Sequence, residues 1–382
     1  MPEAVIVATA RSPIGRAGKG SMTGFRPDDL AATIVQAALD KVPALDPSTL
    51  DDLLLGYEIP GTTITRYCSS SVQTSRMAFH AIKAGEGDVF VSAGVECVSR
   101  FAKGNSDAWP DTMNPVFDAA RERTTSTAQG GQEWHDPRAD GAVPDIYIAM
   151  GQTAENLAQL KGVTREDMDA FGVRSQNLAE KALADGFWQR EITPVTAPDG
   201  TVIAKDDGPR PGVTLEGVAG LKPVFRPDGR ITAGNCCPLN DGAAAVVIMS
   251  DTRARELGIT PLARIVSTGV SGLSPEIMGL GPVEATKNAL KHAGMSIGDI
   301  DLVEINEAFA AQVVPSYQDL WIDLDRLNVN GGAIAVGHPF GMTGARLQNT
   351  MLNSLEWHDK ATGLITMCVG GGQGMALVLE RL

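Results

Sequence analysis

Two cysteines and one histidine are the residues of this chain whose types and surroundings best suit nucleophilic and acid–base chemistry. Cys68 precedes three serines, Ser69 to Ser71. His338 lies in a turn dense in glycine, and Cys368 is followed by the glycines 370–372. A cysteine with a histidine base is a common arrangement for acyl transfer, and a second cysteine can exchange protons with a carbon acid. We therefore consider the three residues as parts of one acyl-transfer centre.

The segment around Cys68 is typical of a nucleophile at the start of a helix. The pattern predicts a strand at Thr62–Thr65 and a helix at Ser69–Ala84. Unpaired N–H groups and the positive end of the helix dipole favour a thiolate there. The alternative is a buried structural cysteine, since free cysteines are among the most buried residues.

The segments around His338 and Cys368 each favour a strand that leads into a glycine turn. Pro339 stiffens the first turn, although a lone histidine is more often a satisfied surface or core residue. The glycines after Cys368 can present backbone N–H groups to an anion. They lack the Lys-Ser/Thr ending of a phosphate-binding loop, so a nucleotide site is not favoured.

Asn306 and the pair Cys236–Cys237 also have competing interpretations. Asn306 is predicted to open a helix after the strand Leu302–Ile305, either as its N-cap or as a holder of water or of a substrate oxygen. The neighbouring Glu307 is interpreted as structural rather than as an acid or base. No second ligand pair with zinc spacing accompanies the two cysteines, so no metal site is predicted.

Composition limits the classes of partner and compartment. The chain has 382 residues, a net charge of −14 and five cysteines. So acidic a surface predicts neither nucleic acid nor an anionic membrane as a partner, and an anionic substrate needs a local positive pocket. An odd cysteine count argues against a disulfide framework. With no signal peptide and no apolar run of spanning length, we expect a soluble, cytoplasmic protein.

Strand and helix patterns alternate along most of the chain, which predicts an α/β fold with buried strands. The stretch 111–230 is polar, rich in Gly and Pro, and interpreted as an insertion with helices near Ile146–Leu160 and from the capping pattern Thr164-Arg-Glu-Asp167 onward. A faint repeat pairs the helices Asp28–Lys41 and Val283–Ala293 with the strands that follow them. It predicts two similar halves facing each other, although a chance match between ordinary βα units stays an alternative.

Four motifs in this order resemble the thiolase family: Cys68-Ser-Ser-Ser, Asn306-Glu-Ala-Phe, Gly337-His338-Pro and Cys368-x-Gly370. The resemblance extends from Arg11-Ser-Pro-Ile-Gly15 to the C-terminus. The related ketoacyl synthases do not end in Cys-x-Gly. The resemblance implies an α/β thiolase fold, with two βα halves in an α-β-α-β-α sandwich. Its parts are an N-terminal half (1–110 plus 231–258), an inserted CoA-binding loop domain (111–230) and a C-terminal half (259–382), in a homodimer or homotetramer.

The resemblance also implies a role for each site residue. Cys68 takes the acyl group as a thioester, and His338 accepts its proton and later helps to hold a thioester oxygen. Asn306 positions a water that completes this oxyanion hole. Cys368 removes or returns the α-proton of acetyl-CoA. The backbone N–H groups of Cys68 and Gly370 form a second oxyanion hole.

The same resemblance assigns contacts with the substrate, CoA, and requires no cofactor or metal. Arg210 meets the nucleotide end of CoA, Met150 contacts CoA from the loop domain, and Met278 lines the acyl pocket. Cys237 stands where a serine near the pantetheine is common.

Departures from the family pattern bear on the substrate. Ser71 replaces a usual glycine, which predicts a tighter turn after the nucleophile, and Ala149 replaces a histidine of some acetoacetyl-CoA enzymes. We expect an acyl-CoA:acetyl-CoA C-acyltransferase that is degradative and accepts longer or bulkier 3-oxoacyl-CoA. The alternatives are a biosynthetic acetoacetyl-CoA thiolase and an inactive acyl-CoA-binding relative; the complete set of Cys68, His338 and Cys368 argues against the inactive one.

The segment before Cys68 is short. Only about a dozen residues separate the predicted strand Leu53–Leu55 from Cys68, where the family carries an additional stretch of roughly twenty residues, the length of a helix with its loops. Either the protein lacks that stretch, or the printed sequence omits it. We favour omission, because every later motif is intact. Omission predicts a separation between the Cα atoms of Gly56 and Tyr57 far above the ordinary ~3.8 Å.

Overall fold

The computed structural model describes residues 2–53, 61–100, 112–130 and 132–382. Its strands are β1 (Ala4–Arg11), β2 (Gly15–Arg16), β3 (Asp52–Leu53), β4 (Val89–Cys97), β5 (Val195–Thr196), β6 (Val202–Ile203), β7 (Asn240–Ser250), β8 (Ala263–Gly272), β9 (Leu302–Ile305), β10 (Thr362–Val369) and β11 (Gln373–Arg381). Its α-helices are α1 (Pro27–Leu39), α2 (Ser70–Ala84), α3 (Asp118–Ala128), α4 (Met150–Lys161), α5 (Arg165–Ala184), α6 (Phe187–Glu191), α7 (Leu215–Ala219), α8 (Asp251–Glu256), α9 (Gly281–Ala293), α10 (Ala310–Asp319), α11 (Ala333–Val336) and α12 (Thr343–Trp357).

The strands of the large sheet form two half-sheets of the same topology. The strand order is β3-β4-β7-β1 in the first half and, read from the other edge, β9-β10-β11-β8 in the second. In each half the first pair is parallel and the other pairs are antiparallel. The halves join through β1 and β8, in the pairs Val5↔Arg264 and Ile6↔Ala263. The predicted repeat is confirmed at the level of topology.

Helices fill the space between the half-sheets and cover their outer faces. The helices α2 and α12 contact each other in the middle layer, while α1 packs on the first half-sheet and α9 on the second. Alternate side chains of a strand point to opposite faces. Ile6 accordingly lies in the middle layer with Leu347 of α12, and Val5 lies in the outer core with Leu30 of α1. The five layers confirm the predicted α-β-α-β-α sandwich.

The predicted insertion, 111–230, contains the helices α3 to α7 and the hairpin β5–β6. The helices α4 and α5 pack on α10. The capping box that opens α5 is confirmed, since Thr164 Oγ1 accepts from the Asp167 N–H and Asp167 Oδ2 accepts from the Thr164 N–H. The domain limits themselves, 1–110 with 231–258, 111–230 and 259–382, stay predictions.

Three local predictions around the motifs are wrong. Thr62–Thr65 forms no strand: it is largely exposed and lies beyond the edge strand β3, where a single bridge joins Leu53 to Gly61. The residues that lead to His338 form the short helix α11. There the Glu307 carboxylate accepts from the Ile334 N–H, which turns the chain away from an extended path.

The third is Asn306, which does not cap a helix. The helix α10 begins at Ala310, with the extended Phe309 as its N-cap. Residues 306–309 instead bridge neighbouring segments: the Asn306 N–H donates to Thr366 O, and the Ala310 N–H donates to Asn235 O. The side chain of Asn306 is therefore not used as a helix cap. The prediction about Gly56 and Tyr57 lies outside the described residues, as does the Leu54–Leu55 end of the predicted strand.

The start of α2 and the start of α12 approach each other without intervening side chains. A Cβ atom on Gly344 would lie 2.3 Å from Val72 N, and one on Gly94 would lie 2.0 Å from Gly341 O. The Ser71 hydroxyl joins the two segments, since it donates to Gly341 O at 2.6 Å and accepts from the Ala345 N–H at 2.9 Å. Ser71 therefore connects the segment after Cys68 to the turn that holds His338.

We expect Gly344→Ala to lower the free energy of unfolding by about 1–3 kcal/mol, because the added methyl overlaps the backbone of α2. Gly220→Ala is the matched control. Gly220 has an ordinary helical backbone conformation, and a Cβ there meets no atom within 4 Å. Urea denaturation of both variants measures the difference. Equal midpoints for the two variants would show that the contact between α2 and α12 is not tight.

Candidate active site

Cys68 is presented by a tight turn before α2. Tyr67 adopts a left-handed φ of 46°, a conformation that costs a non-glycine residue of order 1–3 kcal/mol and is often found at functional sites. The Ser69 N–H donates to Arg66 O, and α2 begins at Ser70. Tyr67 also faces the glycine turn after β10, since a Cβ on Gly370 would lie 3.4 Å from its Cγ. The turn places Cys68 against the segment that carries Cys368.

The structure brings four of the predicted site residues together at this point. The Cys68 thiol accepts a hydrogen bond from the Gly370 backbone N–H. Cys368 is fully buried near the end of β10, and its thiol is close enough to Cys68 for their charges to interact. Cys237 is also close enough to both thiols for its charge to interact with theirs. The Cys237 N–H donates to Ala308 O, which links it to the segment of Asn306.

Burial keeps these thiols protonated in the free enzyme. It raises the pKa of Cys68 to about 12, although the N–H groups of Gly370 and of Cys68 itself act in the opposite direction. Burial also raises the pKa of Cys368 above its ordinary value, and the nearby Cys68 adds a smaller effect in the same direction. The N–H groups favour the thiolate as expected, but desolvation acts in the opposite direction and has the larger effect on the pKa of Cys68.

His338 is held in one orientation and one tautomer. Its Nδ1 lies 2.6 Å from Thr343 Oγ1, and that hydroxyl donates its proton to Pro339 O at 2.7 Å. Nδ1 must therefore carry the proton and donate to Thr343, which leaves Nε2 as the basic nitrogen. The His338 backbone N–H donates to Asn240 Oδ1 at 2.9 Å. Gly337 supplies a φ of 113° just before it.

The imidazole of His338 is neutral. Burial lowers its pKa to about 3, and the positive charge of Arg346 acts in the same direction. Arg346 is itself fully buried, and its guanidinium makes no hydrogen bond with the described residues. A neutral imidazole has a free nitrogen lone pair that can accept the proton of a thiol when the sulfur attacks.

Asn306 lies beside His338 with an unused oxygen. Its Nδ2 is 3.3 Å from His338 Nε2. Its Oδ1 is buried and has no hydrogen-bond partner in the described part of the chain. A buried amide oxygen of this kind is costly unless a water or a ligand satisfies it. The arrangement suits the predicted water position better than a purely structural role.

The predicted CoA contacts divide into two groups. Met150 at the start of α4 and the buried Met278 lie in one apolar cluster with Cys237 and Cys368. Arg210 lies elsewhere, with an exposed side chain and its backbone N–H on Gln176 Oε1. The two methionines thus share one apolar cluster with two of the cysteines, and Arg210 is not part of it.

Several residues that position the site escaped the sequence patterns. Thr343 sets the tautomer of His338, and Asn240 accepts from its backbone. Glu96 accepts from the Gly341 N–H at 3.0 Å. For these positioning residues the sequence offered one signal, Ser71, which departs from the family pattern. In the structure its hydroxyl connects the segment after Cys68 to Gly341 and Ala345. Glu307 is structural as interpreted, because its carboxylate accepts from Ser175, Asn328 and Ile334.

Comparison with known proteins agrees with this geometry. The family model "Thiolase, N-terminal domain" matches residues 53–252, and "Thiolase, C-terminal domain" matches residues 259–381. The chain is 38% identical to a 3-ketoacyl-CoA thiolase of Bacillus subtilis over 415 aligned positions and 40% identical to a beta-ketoadipyl-CoA thiolase of Escherichia coli over 413, with 100% of each chain covered. The crystal structure of the dimeric peroxisomal thiolase of Saccharomyces cerevisiae has a TM-score of 0.88 and 30% identity, covering 100% of this chain and 98% of that one.

The pKa of about 12 predicts how Cys68 reacts with iodoacetamide. Only the thiolate is alkylated, and its fraction rises about tenfold per pH unit while the pH stays well below the pKa. We expect the alkylation rate of the Cys68 peptide, followed by mass spectrometry, to rise in this way from pH 7 to pH 9. A rate that is constant over this range would indicate a thiolate–imidazolium pair instead. Cys68→Ala identifies the background from other cysteines.

Proposed function

This chain belongs to the thiolase family and is an acyltransferase acting on CoA thioesters, and from this premise we propose the role of each site residue. Cys68 attacks the 3-oxo carbonyl of 3-oxoacyl-CoA, and its proton passes to His338 Nε2. The observation that carries the proposal is the position of the Cys68 thiol. This thiol accepts a hydrogen bond from the Gly370 N–H and lies beside the buried thiol of Cys368.

The second step breaks the bond between the α-carbon and the former carbonyl carbon. The acyl group stays on Cys68 as a thioester, and the α-carbon leaves as the carbanion of acetyl-CoA. Cys368 returns a proton to this carbon, and in the condensation direction it removes one. A thiol with a raised pKa suits this task, because proton transfer to a strongly basic carbon is best matched by a weak acid.

Negative charge on the oxygen atoms is stabilised at two places in this proposal. His338 and a water bound to Asn306 hold the oxygen of one thioester. The buried Oδ1 of Asn306 supports this proposal, because it has no hydrogen-bond partner in the described part of the chain and requires a polar one. The backbone N–H groups of Cys68 and Gly370 hold the other. Such fixed donors cost no reorganisation during the reaction and stabilise charge strongly in a buried site.

In the last step the thiol of CoA gives its proton to the Cys368 thiolate and attacks the thioester on Cys68; the product acyl-CoA leaves, and the Cys68 thiolate recovers its proton from His338. CoA is thus a substrate in this scheme, and no cofactor or metal is proposed. Met150, Met278 and Cys237 contact the pantetheine and acyl portions, and Arg210 supplies local positive charge for the nucleotide end. We also propose a homodimer or homotetramer in the cytoplasm. The similar yeast thiolase is a dimer, which supports the assembly. In the described part of the chain, no helix has both the length and the apolar character needed to cross a bilayer.

The proposed direction is degradative, as in β-oxidation, on 3-oxoacyl-CoA longer than acetoacetyl-CoA. The names of the two curated relatives support 3-oxoacyl-CoA thioesters as the substrate class. Ala149, where some acetoacetyl-CoA enzymes have a histidine, supports a wider pocket. A biosynthetic acetoacetyl-CoA thiolase is the alternative.

Separate roles for the two cysteines predict different defects. Cys68→Ala should form no acyl-enzyme with acetyl-CoA and show no turnover. Cys368→Ser should still acetylate Cys68, but α-proton exchange should fall at least a hundredfold, because a hydroxyl is a much poorer acid and base than a thiol. Mass spectrometry and deuterium exchange at acetyl-CoA measure the two effects. An acetyl adduct confined to another cysteine would overturn the assignment of Cys68.

The chain-length proposal predicts a substrate preference. We expect a larger kcat/KM for thiolysis of 3-oxooctanoyl-CoA than of acetoacetyl-CoA, because each further buried methylene adds apolar contact, about 0.8 kcal/mol. Both assays are run side by side at the same CoA concentration. A clear preference for acetoacetyl-CoA would favour the biosynthetic alternative and leave the cysteine roles intact.

A further inference from the structure

Tyr67, the residue before the nucleophile, combines two unusual features. Its φ of 46° is left-handed, which is uncommon for a residue with a bulky side chain. The residue is also 61% exposed, although its ring is large and apolar. Backbone strain of this kind persists only where the surrounding structure imposes it. The proposed reaction gives Tyr67 no role, and the role argued below rests on the proposed function of Cys68.

The backbone of Tyr67 determines the direction of the Cys68 N–H. The carbonyl oxygen of Tyr67 accepts from the Ser70 N–H at 3.2 Å and from the Ser70 hydroxyl at 2.7 Å. The same hydroxyl accepts from the Arg66 N–H at 3.0 Å, which closes the turn. In a trans peptide the N–H lies opposite the C=O. Because the C=O of Tyr67 points to the start of α2, the N–H of Cys68 points in the opposite direction, where it donates to its own thiol.

The ring of Tyr67 lies over the glycine turn between β10 and β11. A Cβ on Gly370 would lie 3.4 Å from Tyr67 Cγ, and one on Gly371 would lie 3.7 Å from Tyr67 Cε2. Both are ordinary van der Waals distances, so the ring covers two successive glycines. Gly370 is buried, and its N–H donates to the Cys68 thiol. The ring therefore packs against the residue that supplies this donor.

The glycine turn, residues 370–372, has no side chains of its own to fix it. Its hydrogen bonds hold two of its carbonyl groups: Gln373 Nε2 donates to Gly370 O at 3.3 Å, and the Leu273 N–H donates to Gly372 O at 2.8 Å. A glycine backbone adopts many conformations readily, so packing is needed to fix the direction of the N–H groups. The tyrosine ring supplies such packing at the first two glycines.

Both donors of the second oxyanion hole thus depend on Tyr67, one through its backbone and the other through its ring. The Cys68 N–H belongs to the nucleophile itself, so the oxygen within its reach is that of the acyl group bonded to Cys68 Sγ. Negative charge develops on this oxygen when Cys68 attacks a thioester and again when CoA attacks the acyl-enzyme. Donors stabilise such charge best when their direction is fixed before the charge appears.

We propose that Tyr67 is a positioning residue that fixes the N–H groups of Cys68 and Gly370 for the acyl oxygen, and so speeds acyl transfer to and from Cys68. The Tyr67 hydroxyl makes no hydrogen bond with the described residues, so the role belongs to the ring and the backbone. Transfer of the α-proton is independent of this role, because it uses Cys368 and the oxyanion hole of His338.

The test measures the rate at which acetyl-CoA acetylates Cys68, by rapid quenching and mass spectrometry. Tyr67→Asn removes the ring, and asparagine tolerates a left-handed φ better than most residues, so the turn before α2 is kept. Its acetylation rate should fall at least tenfold, since loss of a whole oxyanion donor costs about 10²–10³ in rate. Tyr67→Phe keeps the ring and should acetylate at the wild-type rate.

Trp321→Asn is the matched control. Trp321 also has a left-handed φ, of 57°, and is 84% exposed, but it belongs neither to the turn before α2 nor to the glycine turn. This variant loses the same kind of side chain from the same kind of backbone position. We expect it to acetylate Cys68 at the wild-type rate, and a loss equal to that of Tyr67→Asn would remove the special role of Tyr67.

Deuterium exchange at the α-carbon of acetyl-CoA, measured on the acetylated enzyme, is the second readout. In Tyr67→Asn exchange should be retained while acetylation falls, because Cys368 and His338 are unchanged. A purely structural role predicts instead that acetylation and exchange fall together, as they do in a partly unfolded enzyme. An equal loss of both therefore overturns the proposal.

The remaining outcomes separate this proposal from the proposed function. Acetylation of Tyr67→Asn at the wild-type rate removes Tyr67 from the oxyanion hole and leaves the thiolase reaction standing. A loss in Tyr67→Phe as large as in Tyr67→Asn would assign the effect to the hydroxyl and contradict the role of the ring. A wild type that is not acetylated at Cys68 would contradict the proposed function itself.

Discussion

The close approach of α2 and α12 between the two half-sheets positions the active site. Gly344 leaves room for the backbone of α2 at Val72, Gly94 on β4 leaves room for the turn at Gly341, and the Ser71 hydroxyl bonds across the contact. Each helix begins at a site segment, so their contact determines where Cys68 and His338 lie. Because interiors are close-packed, a shift of either helix moves the catalytic groups with it.

Burial determines the protonation states of Cys68, Cys368 and His338. Cys368 and His338 are buried and Cys68 is half-buried. Desolvation favours the neutral form of each, with the pKa of Cys68 raised and that of His338 lowered. In the proposed reaction, charge arises only as the bonds change, at positions where backbone N–H groups can donate to it. Thr343 accepts a hydrogen bond from His338 Nδ1 and so leaves Nε2 as the basic nitrogen.

The local patterns predicted long buried elements better than the segments that lead into the site. The strand β9 is found at the predicted residues 302–305, and the capping box of α5 is present, because both depend on neighbouring residues. The predictions of a strand at Thr62–Thr65, of a strand before His338 and of a helix beginning at Asn306 were wrong. Distant groups take part in the last two cases: the carboxylate of Glu307 accepts from the Ile334 N–H, and the backbone carbonyl of Thr366 accepts from the Asn306 N–H.

The alternation of apolar patterns in the sequence predicted an α/β fold, and the resemblance of four ordered motifs implied the family, the sandwich and the candidate reactive residues. The tertiary structure decided what those residues are chemically. A raised thiol pKa, a fixed imidazole tautomer and an unpartnered amide oxygen on Asn306 are properties of surroundings assembled from segments hundreds of residues apart. Desolvation and hydrogen bonding depend on which groups surround an atom in space, and the order of residues along the chain does not specify those neighbours.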